Sequence, residues 1–155
     1  MNDFLLQWLC YNKGKSFASP RQLVFVSRAQ SFRIHSLDEY GKKVSVKREK
    51  SGSNKIDLYF WMFDKTLDHL KHLPDFPKPL GSRIKPPYMG LSVEGAIWSK
   101  PFSDVNEEYL ASPFVCDLLY YAGLIDYRYT RNPETGNKVQ GAILGEVLRD
   151  KVMNT

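Results

Sequence analysis

Residues 27–70, SRAQSFRIHSLDEYGKKVSVKREKSGSNKIDLYFWMFDKTLDHL, decide how this chain is read. Phe32 and Ile34 alternate with Arg33 and His35, the pattern of a strand with one buried face. Asp38-Glu39-Tyr40-Gly41 supplies turn chemistry, with Gly41 free to take positive φ. Residues 42–50 alternate again, placing Val44 and Val46 on one face and Lys43, Ser45, Lys47 and Glu49 on the other. Residues 51–54 break the pattern. Ile56, Phe60, Phe63, Leu67 and Leu70 then recur at spacings of four, three, four and three, which predicts a helix over 56–70. Asn54 or Asp57 is its expected cap, and Pro74 stops it. A two-stranded ribbon is marginal in water, so hairpin and helix must cover each other or a third element.

Charge is distributed unevenly around this stretch. Residues 1–55 hold 11 Lys/Arg against 4 Asp/Glu, a net of +7, and residues 56–155 hold 11 against 13, a net of −2. A strand with Lys43 and Lys47 on its solvent face suits a phosphate backbone. The same lysines would also keep an exposed strand from unwanted pairing. The asymmetry between the two segments favours a polyanion.

Working outward, Phe4, Leu5, Trp8 and Leu9 predict a short helix over 3–11, capped by Asn2 or Asp3, with Gly14 beyond it. Leu23-Val24-Phe25-Val26 reads as a first strand, giving a three-stranded sheet with the hairpin. Residues 73–90 carry five of the nine prolines, so regular structure is not expected. Lys78, Arg83, Lys85 and Tyr88 interleave cations with an aromatic there, a pattern that suits phosphate contact and base stacking, but a linker between sub-lobes is the reading to be preferred. Alternation over residues 89–98 predicts a strand with Gly95 at a bulge. Ser103 or Asp104 caps a short helix to Leu110, and Ser112-Pro113 opens a better one closed by Gly123. Residues 125–130 and 138–142 pair across an Asn132–Asn137 turn, and Ile143, Leu144, Val147 and Leu148 suggest a last helix.

The expected fold class is α+β: a small antiparallel sheet with packed helices and a C-terminal helix-helix-hairpin order compatible with a winged helix. At 155 residues the chain is expected to be one domain, with sub-lobes 1–72 and 91–155 joined by the proline-rich 73–90. No apolar run approaches the roughly 20 residues of a membrane helix. The N-terminus lacks the pattern of a secretory signal, and Cys10 and Cys116 are isolated thiols, so a cytoplasmic location is expected.

Catalytic signatures are sparse. There is no phosphate loop, no GxGxxG and no GxSxG. No Glu-x-Lys or Asp-x-Lys occurs; the nearest approach to a metal-dependent nuclease is Asp126-Tyr127-Arg128 with Glu94 or Asp117. His69 and His72 lie three apart but lack further metal-ligand spacing, and His35 is a conceivable base beside the basic hairpin. No catalytic residue, metal or cofactor is assigned. The leading expectation is a nucleic-acid-binding module, DNA or RNA, without its own catalysis. Its contacts would be Arg33, Lys43, Lys47, Arg48, Lys50 and Lys55, with Arg83 and Lys85 from the loop and Arg128 and Arg131 from the second hairpin. The alternatives are a protein-interaction module, such as an accessory component of a phage or defence system, and a metal-dependent nuclease.

Overall fold

A computed structural model describes residues 1–25, 31–49, 52, 54–81, 88–99 and 109–154. Helix α1 (Asp3–Tyr11) starts as expected: the Asn2 side chain accepts from the Leu5 amide, and Leu5 and Leu9 are buried. A two-residue strand β1 (Ser16–Phe17) follows, then the short helix α2 (Arg21–Val24). The expected strand at 23–26 is therefore a helix up to Val24, and Val26 lies outside the described residues. Pro20 fixes φ at −63°, and of the described residues of the apolar run Phe25 is buried while Leu23 is 88% exposed. Consecutive apolar residues that do not share burial are not a buried strand.

Strands β2 (Phe32–Asp38) and β3 (Lys43–Arg48) form the expected hairpin. Its turn differs in one residue. The Asp38 carboxylate accepts from the Gly41 amide, and Lys42, not Gly41, takes positive φ at 54°. The register shifts between Ile34 and Ser36, leaving His35 as the extra residue of a bulge. The predicted helix begins late. Residues Lys55–Tyr59 form strand β4 against β3, and α3 spans Phe60–Lys71. Ile56 and Leu58 fit period two as well as Ile56 and Phe60 fit period 3.6, and the open edge of β3 selects the strand. The first sheet therefore has four strands in the order β1-β2-β3-β4.

Strand β5 (Lys78–Pro79) leads to undescribed residues 82–87, then to a 3₁₀ turn at Tyr88–Leu91 and helix α4 (Val93–Ile97). The strand expected over 89–98 is thus helical. Ser92 Oγ accepts from the Gly95 amide at 3.0 Å, which starts the helix, and Val93 and Ile97 bury together at i, i+4. The helix expected from Ser103 to Leu110 falls mainly outside the described residues. Helix α5 (Ser112–Tyr121) carries Pro at its start, as expected, and Gly123 follows it at φ +79°. Its cap comes from elsewhere: Glu94 accepts from the amides of Ala111 and Ser112, at 2.9 and 3.2 Å. Strands β6 (Ile125–Arg131) and β7 (Lys138–Leu144) pair with β5 in the order β5-β7-β6. Ile143 and Leu144 belong to β7, and α6 begins after them (Glu146–Met153). Gly141 sits mid-sheet because a Cβ there would approach the Lys78 and Arg128 carbonyls to 2.9 Å.

The architecture is α+β, with six α-helices and two small antiparallel sheets among the described residues. Both halves of the chain contribute to one apolar core: Leu5, Phe32, Ile34, Val44, Val46, Leu58 and Phe63 from the N-terminal part meet Leu118, Leu119 and Leu144. The halves are also tied by polar bonds. Asp117, on α5 and fully buried, accepts from Ser19 Oγ (2.8 Å), Arg21 Nε (3.0 Å) and Nη2 (3.1 Å), and the Tyr127 hydroxyl (2.5 Å). Tyr121 donates to the Ala18 carbonyl, Tyr109 to that of Asp57, and Tyr129 to that of Phe25.

Removing the Asp117 charge takes from the mostly buried Arg21 guanidinium the carboxylate that it binds through Nε and Nη2. Asp117→Asn is expected to lower the unfolding free energy by about 3 kcal/mol or more, whereas Tyr127→Phe, losing one charge-assisted bond, costs about 2 kcal/mol. Urea unfolding of the three proteins checks this; equal stability of Asp117→Asn and the parent would show that the ion pair contributes nothing.

Candidate nucleic-acid interface

The register of the first sheet sorts the basic residues. Arg33 on β2 is opposite Lys47 on β3, and Lys47 is opposite Lys55 on β4. Val44, Val46 and Leu58 face the core, so these three cations share the outer face in one row across the strands. With neighbouring strands about 4.8 Å apart, the row spans roughly 10 Å. Among the described residues, none of the three has an ion-pair partner. The acid two positions along from Lys47, Glu49, accepts from Ser16 Oγ at 2.6 Å.

The next rows on this face are different. Ser36 opposes Ser45, which opposes Asp57, and Asp38 opposes Lys43, which opposes Tyr59. Asp57 lies 3.5 Å from Lys43 Nζ and accepts from Ser45 Oγ at 2.5 Å, so Lys43 is largely neutralised within the sheet. The bulge leaves His35 exposed two residues after Arg33 in the chain.

The remaining candidates do not join this row. Arg48 opposes Phe32 and lies over the Phe114 ring at 5.4 Å, on the other face. Arg128 and Arg131 belong to the second sheet, where Arg131 opposes Lys138 and Lys138 folds over Tyr129 at 4.0 Å. Lys50, Arg83 and Lys85 lie outside the described residues. Lys78 turns inward. Its ammonium donates to the carbonyls of His72 and, at 2.6 Å, Leu73, closing the C-terminal end of α3, and burial lowers its pKa.

The groups suggested for a nuclease are engaged structurally. Asp117 is held by four donors, and burial, then the Asp117 charge, raises the Tyr127 hydroxyl far above its ordinary range. Glu94 caps α5 and accepts from Trp98 Nε1 at 2.9 Å; burial still raises its pKa against those bonds. Asp126 lies on the side of β6 away from Tyr127, with Arg128. Among the described residues no three His, Cys, Asp or Glu are grouped to hold a metal ion. Burial drives the Cys116 thiol pKa sharply upward, as befits packing, and Cys10 donates to Glu39 at 3.2 Å.

His69 docks α3 onto the 3₁₀ turn. Its Nε2–H donates to the Leu91 carbonyl at 3.1 Å, which leaves Nδ1 unprotonated in the neutral ring. Burial lowers its pKa, the Leu91 bond opposes that, and the charges of Lys78 and His72 add to the lowering. A base with a lowered folded pKa favours the folded state fully above its unfolded value, near 6.5, and loses that contribution as pH falls through the folded pKa. Stability is therefore expected to decline as pH drops below about 6.5, before most carboxylates titrate. His69→Gln keeps a donor for Leu91 and should flatten that part of the profile. Thermal unfolding between neutral and mildly acid pH reads the difference, and identical slopes in the two proteins would contradict the assignment.

No helix among the described residues is long and apolar enough to cross a membrane. Searches of protein-family models, curated proteins and solved structures find no match for this chain.

Proposed function

We propose that the chain binds nucleic acid on the outer face of the four-stranded sheet, with phosphates lying across Arg33, Lys47 and Lys55. The supporting observation is the row itself. Like charges directly opposite one another on a sheet are destabilising, and no partner for these three is found among the described residues. Edge protection accounts for Lys55, which is on an edge strand, but not for Lys47 on the interior strand β3 or Arg33 on β2. Lysine and arginine aligned across strands give phosphate contacts that position a polyanion without reading its sequence. Reading of bases would fall to other groups, and catalysis is not part of this proposal. The exposed thiol of Cys10 and the buried thiol of Cys116 are both unpaired, which suits a reducing compartment such as the cytoplasm.

Binding to a short oligonucleotide should weaken steeply with salt, with a log–log slope of about −0.9 per phosphate neutralised on duplex and about −0.7 on a single strand. Substituting Arg33, Lys47 and Lys55 together by Gln should reduce that slope by roughly two to three and should not lower stability, because it removes like-charge contacts. Arg48→Gln, on the other face, should leave the slope unchanged. Absence of binding at low salt, a flat salt dependence, or unaltered binding by the triple variant would each defeat the proposal.

A further inference from the structure

The cation row has a polar neighbour at its β1 end, and an acid is already bonded to it. Ser16 on β1 is opposite Arg33 on β2, so its hydroxyl is on the outer face with Arg33, Lys47 and Lys55. Glu49 continues β3 beyond Arg48, and its amide donates to the Ser31 carbonyl at 2.9 Å, which keeps it on the same face as Lys47. Its carboxylate forms no ion pair with Arg33, Lys47 or Lys55. It accepts instead from Ser16 Oγ at 2.6 Å, so the side chain reaches from β3 past β2 to β1. Holding β1 in place does not account for this contact. The Gly14 amide already donates to the Ile34 carbonyl at 2.8 Å, and the Ile34 amide to the Lys15 carbonyl at 3.0 Å. The Phe17 ring packs against those of Trp8, Phe32 and Tyr121. The Ser16–Glu49 bond itself is exposed, where water competes for both groups.

We infer that Ser16 and Arg33 form a phosphate subsite at the β1 end of the row, and that the Glu49 carboxylate holds the Ser16 hydroxyl in the free protein until a phosphate displaces it. The inference rests on the nucleic-acid reading above and adds to it a fourth strand and an internal competitor. The chemistry is exchange of one anion for another, with no covalent step. A hydroxyl that donates to a carboxylate oxygen can donate equally to a phosphate oxygen. Residues directly opposite on neighbouring strands have Cβ atoms about 5 Å apart, so one phosphate, with several acceptor oxygens, can take the Ser16 hydroxyl and the Arg33 guanidinium together. Glu49, tethered on Ser16, leaves that guanidinium without an ion pair among the described residues. Its negative charge at the end of the row therefore opposes an incoming polyanion, and Glu49 sets the affinity by weakening it.

Fluorescence anisotropy of a labelled single-stranded oligonucleotide, titrated with the full chain at several salt concentrations, tests this. Glu49→Gln keeps an oxygen acceptor for Ser16 but removes the charge. It should tighten binding at low salt by about threefold to tenfold and steepen the log–log slope by about 0.7, one further phosphate on a single strand. Glu39→Gln makes the same change in net charge in the β2–β3 turn, roughly 20 Å along β2 from Arg33, and should leave both quantities near those of the parent. Adding Ser16→Ala to Glu49→Gln should reverse most of the gain, because the phosphate loses its hydroxyl donor. Circular dichroism of each variant verifies folding. A merely structural role of the Ser16–Glu49 bond predicts unchanged or weaker binding by Glu49→Gln, never tighter. Binding by the parent that Glu49→Gln tightens no more than Glu39→Gln overturns this inference and leaves the cation row standing. So does a gain that Ser16→Ala does not touch, which would make Glu49 a general charge effect. No binding by the parent or any variant at low salt defeats the nucleic-acid reading, and this inference with it.

Discussion

The buried carboxylate of Asp117 is the point where three separate parts of the chain are made to agree. Ser19 and Arg21 reach it from the N-terminal segment, Tyr127 reaches it from β6, and Asp117 itself is on α5. Taking a carboxylate out of water is costly, and the cost is offset only when several donors converge with good geometry. A two-pronged arginine and two hydroxyls meet that requirement. The consequence is architectural. With Arg21 fixed, α2 lies beside β6, Phe25 packs edge-on against Tyr127 and Tyr129, and the basic N-terminal sheet is anchored to the more acidic C-terminal part. Glu94 makes a second join of the same kind, bringing α4 to the start of α5.

Local signals in the chain were sufficient for some elements and misleading for others. Helix α1, helix α5 and both hairpins could be read because stripe, proline, glycine and turn residues agreed locally, although the cap of α5 comes from the distant Glu94. Residues 55–59 could not, since Ile56 and Leu58 fit two periods and only the free edge of β3 chooses between them. Strand β1 is two residues long and exists through its pairing with β2, a contact with no local signature. Alternation over 91–97 suggested a strand where the Ser92 cap makes a helix. Lys78 looked like one more loop cation, yet its ammonium is consumed by carbonyls at the end of α3.

The same distinction applies to the basic face. Composition made the charge excess visible, but membership of a row depends on register, which sequence does not state. Pairing separates Arg48, directed at Phe114, from its neighbour Lys47, and assigns Asp57 to Lys43. What is left on the outer face is a set of three cations supplied by three strands.

The most direct measurement of the central claim is a residue-resolved one. Amide chemical shifts recorded while an oligonucleotide is added should change first and most at Arg33, Lys47, Lys55 and their outward-facing neighbours. The amides around Arg128 and Arg131, on the second sheet, should stay nearly constant. Changes centred on the β6–β7 hairpin, or none anywhere at low salt, would contradict the account.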